Sequence, residues 1–200
     1  MNAALRLATG AGDAAVYLGL GSNLGDRLSQ LRRALFALAT HPEIRVTAVS
    51  SLYETEYVGP GRQSPYLNAC VEIETSLSPE VLLAVLKATE TRLGRRPRSH
   101  LQPRPIDLDI LLYGRLVQKD RYLTLPHPGL SQRAFVLEPL WEIAADLVIP
   151  DSDETVAVAC ERIRSSAGPW VHQLREDTLL PAPLPTGEED WRATLAVHCR

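Results

Sequence analysis

Apolar residues recur along this chain with two different periods, and the switches between them divide it into elements. Residues 16–20, VYLGL, form a short apolar run that enters GSNLGDR and predict a buried strand. Over 27–39, Leu28, Leu31, Leu35 and Leu38 fall three and four apart, which predicts a helix with one apolar stripe. A turn at HPE follows. IRVTAVSSLY, 44–53, alternates and predicts one strand, with Ile44, Val46, Ala48 and Ser50 on one side. ETEYVGPGRQSPY, 54–66, reads as an exposed loop long enough to cover a site.

LNACVEIET, 67–75, is a second alternating strand. Ser78 then reads as a helix cap, Pro79 fits the first turn, and Val81, Leu82, Val85, Leu86 and Leu93 make a buried stripe that Gly94 ends. RRPRSHLQPRP, 95–105, has three prolines and no apolar period, so it is expected as an extended or mobile loop. IDLDILLYG, 106–114, is a further strand, LTLPHPGLSQR looks irregular, and AFVLEPLWEIA, 134–144, predicts short helical turns.

Strand-helix-strand occurs twice, and no helix separates the two strands of 44–75. This order predicts an α+β, ferredoxin-like sandwich: a mainly antiparallel sheet with helices over one face and extra C-terminal elements. A doubly wound sheet would need a helix in that gap. The expected organisation is a flexible lead-in over 1–15, one catalytic domain over 16–165, and a C-terminal extension over 166–200 that is peripheral or partly disordered.

Composition narrows the partners. At 45% hydrophobic and 22% charged residues, 200 residues suit one good core. A net charge of -3 argues against overall affinity for nucleic acid or an anionic membrane. Cys70, Cys160 and Cys199 are scattered without zinc spacing, which suggests reduced thiols. The opening lacks the basic start and apolar segment of a signal peptide, and no stretch is apolar enough to span a bilayer. A cytoplasmic protein is the expectation.

Asp107 and Asp109 are two apart in a strand, so both carboxylates share a face while Leu108 and Ile110 take the other. Such a pair either forms an exposed face with arginine partners or holds hard cations such as Mg²⁺, which bridge carboxylates to nucleotide phosphates. Arg92, Arg95, Arg96, Arg98 and Arg104 lie just upstream and offer planar donor forks that suit phosphate. GLGSNLGDR, 19–27, is neither a Walker A loop nor a full dinucleotide fingerprint. It is read either as an anion site at a helix start or as a turn in which Asn23 or Asp26 caps the helix. Tyr66 and Asn68 share a face, a ring beside an amide that suits a flat heterocycle, and Phe135 is either a second ring or core. His127, in LPHPG, either touches a phosphate or ends a turn. A dinucleotide-dependent oxidoreductase and an RNA-binding ferredoxin-like module are the alternatives from other classes.

Taken together, GSNLGDR (21–27), SPYLNACVEIET (64–75), LGRRPRSHLQPRPIDLDILLYG (93–114) and LTLPHPGLSQRAFVLEPLWEIAADLVIPD (123–151) carry a specific likeness. The chain resembles the 6-hydroxymethyl-7,8-dihydropterin pyrophosphokinase family of folate biosynthesis. That resemblance implies transfer of the β,γ-pyrophosphoryl group of ATP to the pterin hydroxymethyl, releasing AMP. It implies two Mg²⁺ ions on Asp107 and Asp109, with Arg95 and Arg104 beside them in catalysis. It places the pterin against Thr55, Val58, Tyr66, Asn68 and Phe135. Nucleotide contacts are implied for Glu90, Arg95, Arg98, Arg104, Thr124, His127 and Arg133. ATP and the pterin are the expected partners of a monomer, a dimer being the alternative. Pro97, His100, Leu101 and Gln102 depart from the family's loop pattern, which implies altered loop closure.

Overall fold

A computed structural model of the chain describes residues 5–6, 14–96, 102–166, 168–174 and 179. Strand β1 (Leu5–Arg6) precedes β2 (Ala14–Ser22), helix α1 (Arg27–Ala39), β3 (Ile44–Val49), β4 (Leu52–Thr55) and β5 (Tyr66–Thr75). Helix α2 (Pro79–Arg92), β6 (Asp107–Tyr113) and a small hairpin, β7 (Gln118–Lys119) and β8 (Thr124–Leu125), follow. The described chain ends with α3 (Ala134–Ala144), α4 (Val156–Arg164) and β9 (Val171–Leu174).

The main sheet runs β1-β3-β5-β2-β6, with β4 also on β5 and β9 on β4, and the pairings are antiparallel. This is the expected mixed α+β arrangement. Leu31, Leu35 and Leu38 of α1 and Leu82 and Leu86 of α2 are buried with Val16, Leu18 and Leu20 of β2, Val71 and Ile73 of β5, and Leu108 and Ile110 of β6. Removing this apolar surface from water is the main drive that holds the layers together. The additional C-terminal helices cover part of the opposite face, where Leu137, Leu140 and Ile143 of α3 meet Tyr17, Cys70, Leu111 and Leu112. The rest of that face stays open.

The caps follow the local sequence. Ser29 N–H donates to Asp26 at 3.0 Å, so Asp26 is the N-cap of α1. Ser78 caps α2, with Pro79 at its start. Several boundaries differ from expectation. The run 44–53 is two strands, broken at Ser50–Ser51, and both pair with β5. A register shift between Val46 and Ala48 makes Thr47 an extra residue. Ala48 therefore lies in the α3-side core, not beside Ile44 and Val46. Residues 134–144 form one continuous helix with Pro139 inside it. Helix α4 and strand β9 had no clear periodic signal. Pro97, Arg98, His100 and Leu101 lie outside the described residues, as does most of the chain beyond Leu174.

Cys70 and Cys160 are free, buried thiols. Burial pushes the Cys70 thiol far above its ordinary value and raises Cys160 to about 11. No helix among the described residues is long and apolar enough to cross a membrane.

Leu86 is fully buried where α2 meets the sheet. Leu86→Ala should cost about 2–5 kcal/mol, whereas Ser78→Ala, which removes only a cap, should cost about 1 kcal/mol. Urea unfolding should show both as lower midpoints at unchanged slope.

Candidate active site

The open face of the sheet is built on glycine. In β2, Leu18 and Leu20 turn into the core, so Gly19 and Gly21 face the other way. Gly21 lies opposite Asp107 of β6 and Asn68 of β5, and Gly19 opposite Asp109 and Cys70. A Cβ on Gly21 would stand 2.9 Å from Asn68 Oδ1, and one on Gly19 would stand 3.3 Å from Leu111 Cδ2. The missing side chains leave a low floor between a carboxylate edge and an amide edge.

A cavity of about 360 Å³ sits on this floor. Asp107, Asp109 and Arg104 form its charged end. Thr55, Val58, Tyr66 and Asn68 line it from β4, β5 and the loop between them, and His127, Arg133 and Phe135 from the segment around the start of α3. Arg95 does not line it but reaches Asp107 from behind, and Glu90 is buried beneath Arg95. Thr124 lies on β8, paired with Lys119 and outside the lining. Arg98 is outside the described residues.

The two aspartates share a face but differ in company. Asp107 Oδ1 accepts from Arg95 Nη1 at 2.5 Å and its Oδ2 from Arg104 Nη1 at 2.5 Å. Asp109 has Lys87 Nζ at 3.7 Å. The side chains are 20% and 43% exposed, so Asp109 is the more open to an incoming group. Lys87 Nζ also donates to Glu90 Oε1 at 2.8 Å and to the Leu108 carbonyl at 2.9 Å. Leu108 N–H donates to Glu90 Oε1 at 2.7 Å. Burial raises the Glu90 pKa, although Lys87 and these hydrogen bonds oppose the shift. Burial also disfavours charge on Arg95, but Asp107 and Glu90 outweigh it and hold that guanidinium pKa above its ordinary value.

Asp107 and Asp109 are the paired carboxylates at this end, and among the described residues no group of three or more His, Cys, Asp or Glu side chains could hold a metal ion. Two backbone-fixed carboxylates on an open floor fit Mg²⁺, which takes one or two protein carboxylates and completes its octahedron with phosphate and water. A softer metal would find no thiolate or clustered imidazole here.

At the other end, Asn68 Nδ2 donates to Thr55 Oγ1 at 2.7 Å. The Tyr66 and Tyr57 rings are nearly parallel, 6.4 Å between centroids. The Arg133 guanidinium lies 5.7 Å from the Phe135 ring centre, and a Cβ on Gly129 would collide with it. His127 Nδ1 accepts from Gly129 N–H at 3.1 Å, which leaves its proton on Nε2. Its pKa is lowered, chiefly by burial; Arg133 adds to the shift and Asp109 opposes it.

The glycine motif resolves into three separate jobs. Gly19 and Gly21 are floor and Asp26 is the helix cap. Asn23 bridges two loops: Arg104 N–H donates to Asn23 Oδ1 at 2.7 Å, and Asn23 Nδ2 donates to Gln63 at 2.9 Å. A phosphate cradle at the helix start is not what these glycines build. Lys87 and Tyr57 were not singled out from sequence. Lys87 meets Asp109 only because α2 packs across β6, which no local spacing reveals, whereas the aromatic spacing of Tyr57 and Tyr66 across one loop was visible.

The profile of the 7,8-dihydro-6-hydroxymethylpterin-pyrophosphokinase (HPPK) family matches residues 17–145, more than half of the chain. The 2-amino-4-hydroxy-6-hydroxymethyldihydropteridine pyrophosphokinase of Bacillus subtilis (strain 168) is 47% identical over 127 residues, 64% of this chain and 76% of that protein. The protein of the same name from Methylorubrum extorquens is 46% identical over 150 residues, 75% of this chain and 94% of its own length. The solved structure of wild-type HPPK-DHPS from Plasmodium falciparum with pteroate has a similar fold, at a TM-score of 0.61 and 13% identity, over 79% of this chain and 46% of that one. The chain thus spans less than half the length of the solved HPPK-DHPS chains it matches. On the family match and the identity to these relatives, this chain belongs to the HPPK family.

Proposed function

We propose that this protein transfers the β,γ-pyrophosphoryl group of ATP to the hydroxymethyl of 6-hydroxymethyl-7,8-dihydropterin and releases AMP, a step of folate biosynthesis. The observation that carries this reading is one cavity on a glycine floor, with Asp107, Asp109 and Arg104 at one end, Arg95 paired to Asp107 just outside the lining, and an amide and rings at the other end. Its volume suits small molecules, and each end suits one half of the reaction. The catalytic unit spans residues 16–165, and the protein acts as a cytoplasmic monomer.

Asp107 and Asp109 would hold two Mg²⁺ ions. Bound magnesium neutralises polyphosphate charge and makes the attacking hydroxyl more acidic. The pterin hydroxymethyl oxygen attacks the β-phosphorus, the bond from that phosphorus to the oxygen bridging to the α-phosphorus breaks, AMP departs, and the hydroxyl proton is lost to solvent. Tyr66 and Phe135 stack on the heterocycle and Asn68 reads its polar edge, with Thr55 and Val58 closing that side. Arg95 and Arg104, already held at Asp107, exchange a carboxylate partner for phosphate oxygens as ATP enters. Glu90 keeps Arg95 aimed from beneath. Arg133 and the neutral His127, through Nε2–H, donate to the nucleotide, with Arg98 and Thr124 as the remaining nucleotide contacts. No side chain needs to act as a general base, so orientation and charge placement supply the acceleration.

Incubation with Mg·ATP and the pterin should produce AMP, whereas ADP would indicate simple phosphoryl transfer. Asp109→Ala should lower kcat by on the order of 10²–10³ with an unchanged far-ultraviolet circular dichroism spectrum. A rate within about threefold of the parent would be incompatible with charge stabilisation at Asp109.

The pH dependence follows from His127. Its folded pKa lies below the ordinary 6.5, so the fold favours the neutral ring. That contribution to stability is complete above 6.5 and is lost as pH falls through the folded value. Urea midpoints measured below pH 6.5 should fall less steeply in His127→Gln than in the parent.

A further inference from the structure

Strand β4 has four residues, and its last, Thr55, lies on the cavity wall. A strand that short at a sheet edge frays easily. Here it is flanked on both sides. On β5 it pairs Tyr53 with Asn68 and Thr55 with Tyr66. On β9 it pairs Leu52 with Leu174 and Thr55 with Val171. Immediately beyond, Glu56 N–H donates to the Trp170 carbonyl at 3.2 Å. The chain leaving β4 towards Val58 is thus tied to a segment that lies outside the family match at 17–145.

What hangs on Thr55 is the polarity of Asn68. Thr55 Oγ1 takes the hydrogen bond from Asn68 Nδ2, and both residues are buried. With Nδ2 so engaged, Oδ1 projects over Gly21 into the cavity. The amide therefore presents an acceptor to whatever lies on the floor. Behind this wall a second cavity of about 100 Å³ separates Val58 and Phe135 from Trp170 and Val171, so the segment stands directly behind the pterin end.

We infer that Gly168–Leu174 is a positioning element for the heterocycle: β9 holds Thr55, Thr55 orients the Asn68 amide, and that amide selects a ligand edge carrying an N–H. This inference rests on the proposed reaction and adds to it a determinant of pterin recognition contributed from the C-terminal side. Among the described strands β9 pairs only with β4, whereas Asp107 and Asp109 stand on β6, across β5 and β2 from it.

Neighbouring residues of a paired strand send successive N–H groups to opposite sides, so one of His172 and Gln173 points its N–H at β4 and the other away. Proline at each position in the full-length protein, His172→Pro and Gln173→Pro, removes those groups one at a time. The variant that loses the N–H facing β4 should raise the KM for the pterin about five- to twentyfold. Its KM for ATP should stay within about twofold of the parent. Amide hydrogen exchange over 54–57 should quicken in the same variant. Thr55→Val, which keeps the shape and removes the hydroxyl, should give the same split between the two KM values if either proline variant fails to fold. A parallel rise in both KM values would reduce β9 to general stabilisation and overturn the inference, as would faster exchange with an unchanged pterin KM. AMP release by the parent protein tests the reaction itself, separately from any variant.

Discussion

Strand β2 is pinned between β5 and β6, and its apolar face decides everything built on its other side. Val16, Leu18 and Leu20 are buried beneath the first two helices. Because side chains alternate, that burial forces Gly19 and Gly21 towards the cavity. A slip of one residue would put the glycines in the core and two leucines on the floor, at a cost of about 1.5–3 kcal/mol for each leucine exposed. The same register brings Asp107 level with Gly21 and Asp109 level with Gly19. Hydrophobic packing on one face, together with the backbone pairing whose register it selects, thus fixes polar geometry on the other.

The charged end is tolerable because it is balanced. Asp107, Asp109 and Glu90 meet Arg95, Arg104 and Lys87 in one connected set. Two carboxylates this close would repel each other without counter-charges. Glu90 is the most buried member, and it is tied to a backbone N–H as well as to two cations. This connects the end of α2 to the start of β6, so the arginine that leaves α2 emerges already aimed at Asp107. The arginines are thereby held where a polyphosphate would need them, and little side-chain ordering remains for the binding step.

Much of this was legible in the sequence, for reasons that differ by element. Helices α1 and α2 announced themselves through leucine spacing and the Ser78-Pro79 start, and β5 and β6 through alternation. The Asp107–Asp109 pair was visible because a strand period puts its two carboxylates on one face. The bulge at Thr47 was not visible, since IRVTAV alternates equally well with or without it and only pairing with β5 reveals the extra residue. Lys87 was silent because Asp109 and the Leu108 carbonyl, which bring it to the site, come from another element. VHQL carries too weak a pattern to predict β9, which exists because β4 offers an unpaired edge. Gly19 fell within the strand expected over 16–20, but Gly21 was read as part of the turn; that the strand runs on through Gly21 to Ser22 follows from pairing along its whole length.

The sheet also sets the distance between the two ends of the site. Asn68 stands on β5 and the aspartates on β6, with β2 between them. Neighbouring strands lie about 4.8 Å apart, so the amide row and the carboxylate row are separated by roughly 10 Å. That interval is covalently and hydrogen-bond determined and does not depend on loop conformation. A heterocycle anchored at one row must therefore direct its substituent across the glycine floor towards the other. Orientation of this kind raises a two-substrate reaction by presenting the reacting atoms in a fixed relation. Loops then have the lesser task of covering the cavity, while the separation of the amide row from the carboxylate row is a property of three adjacent strands.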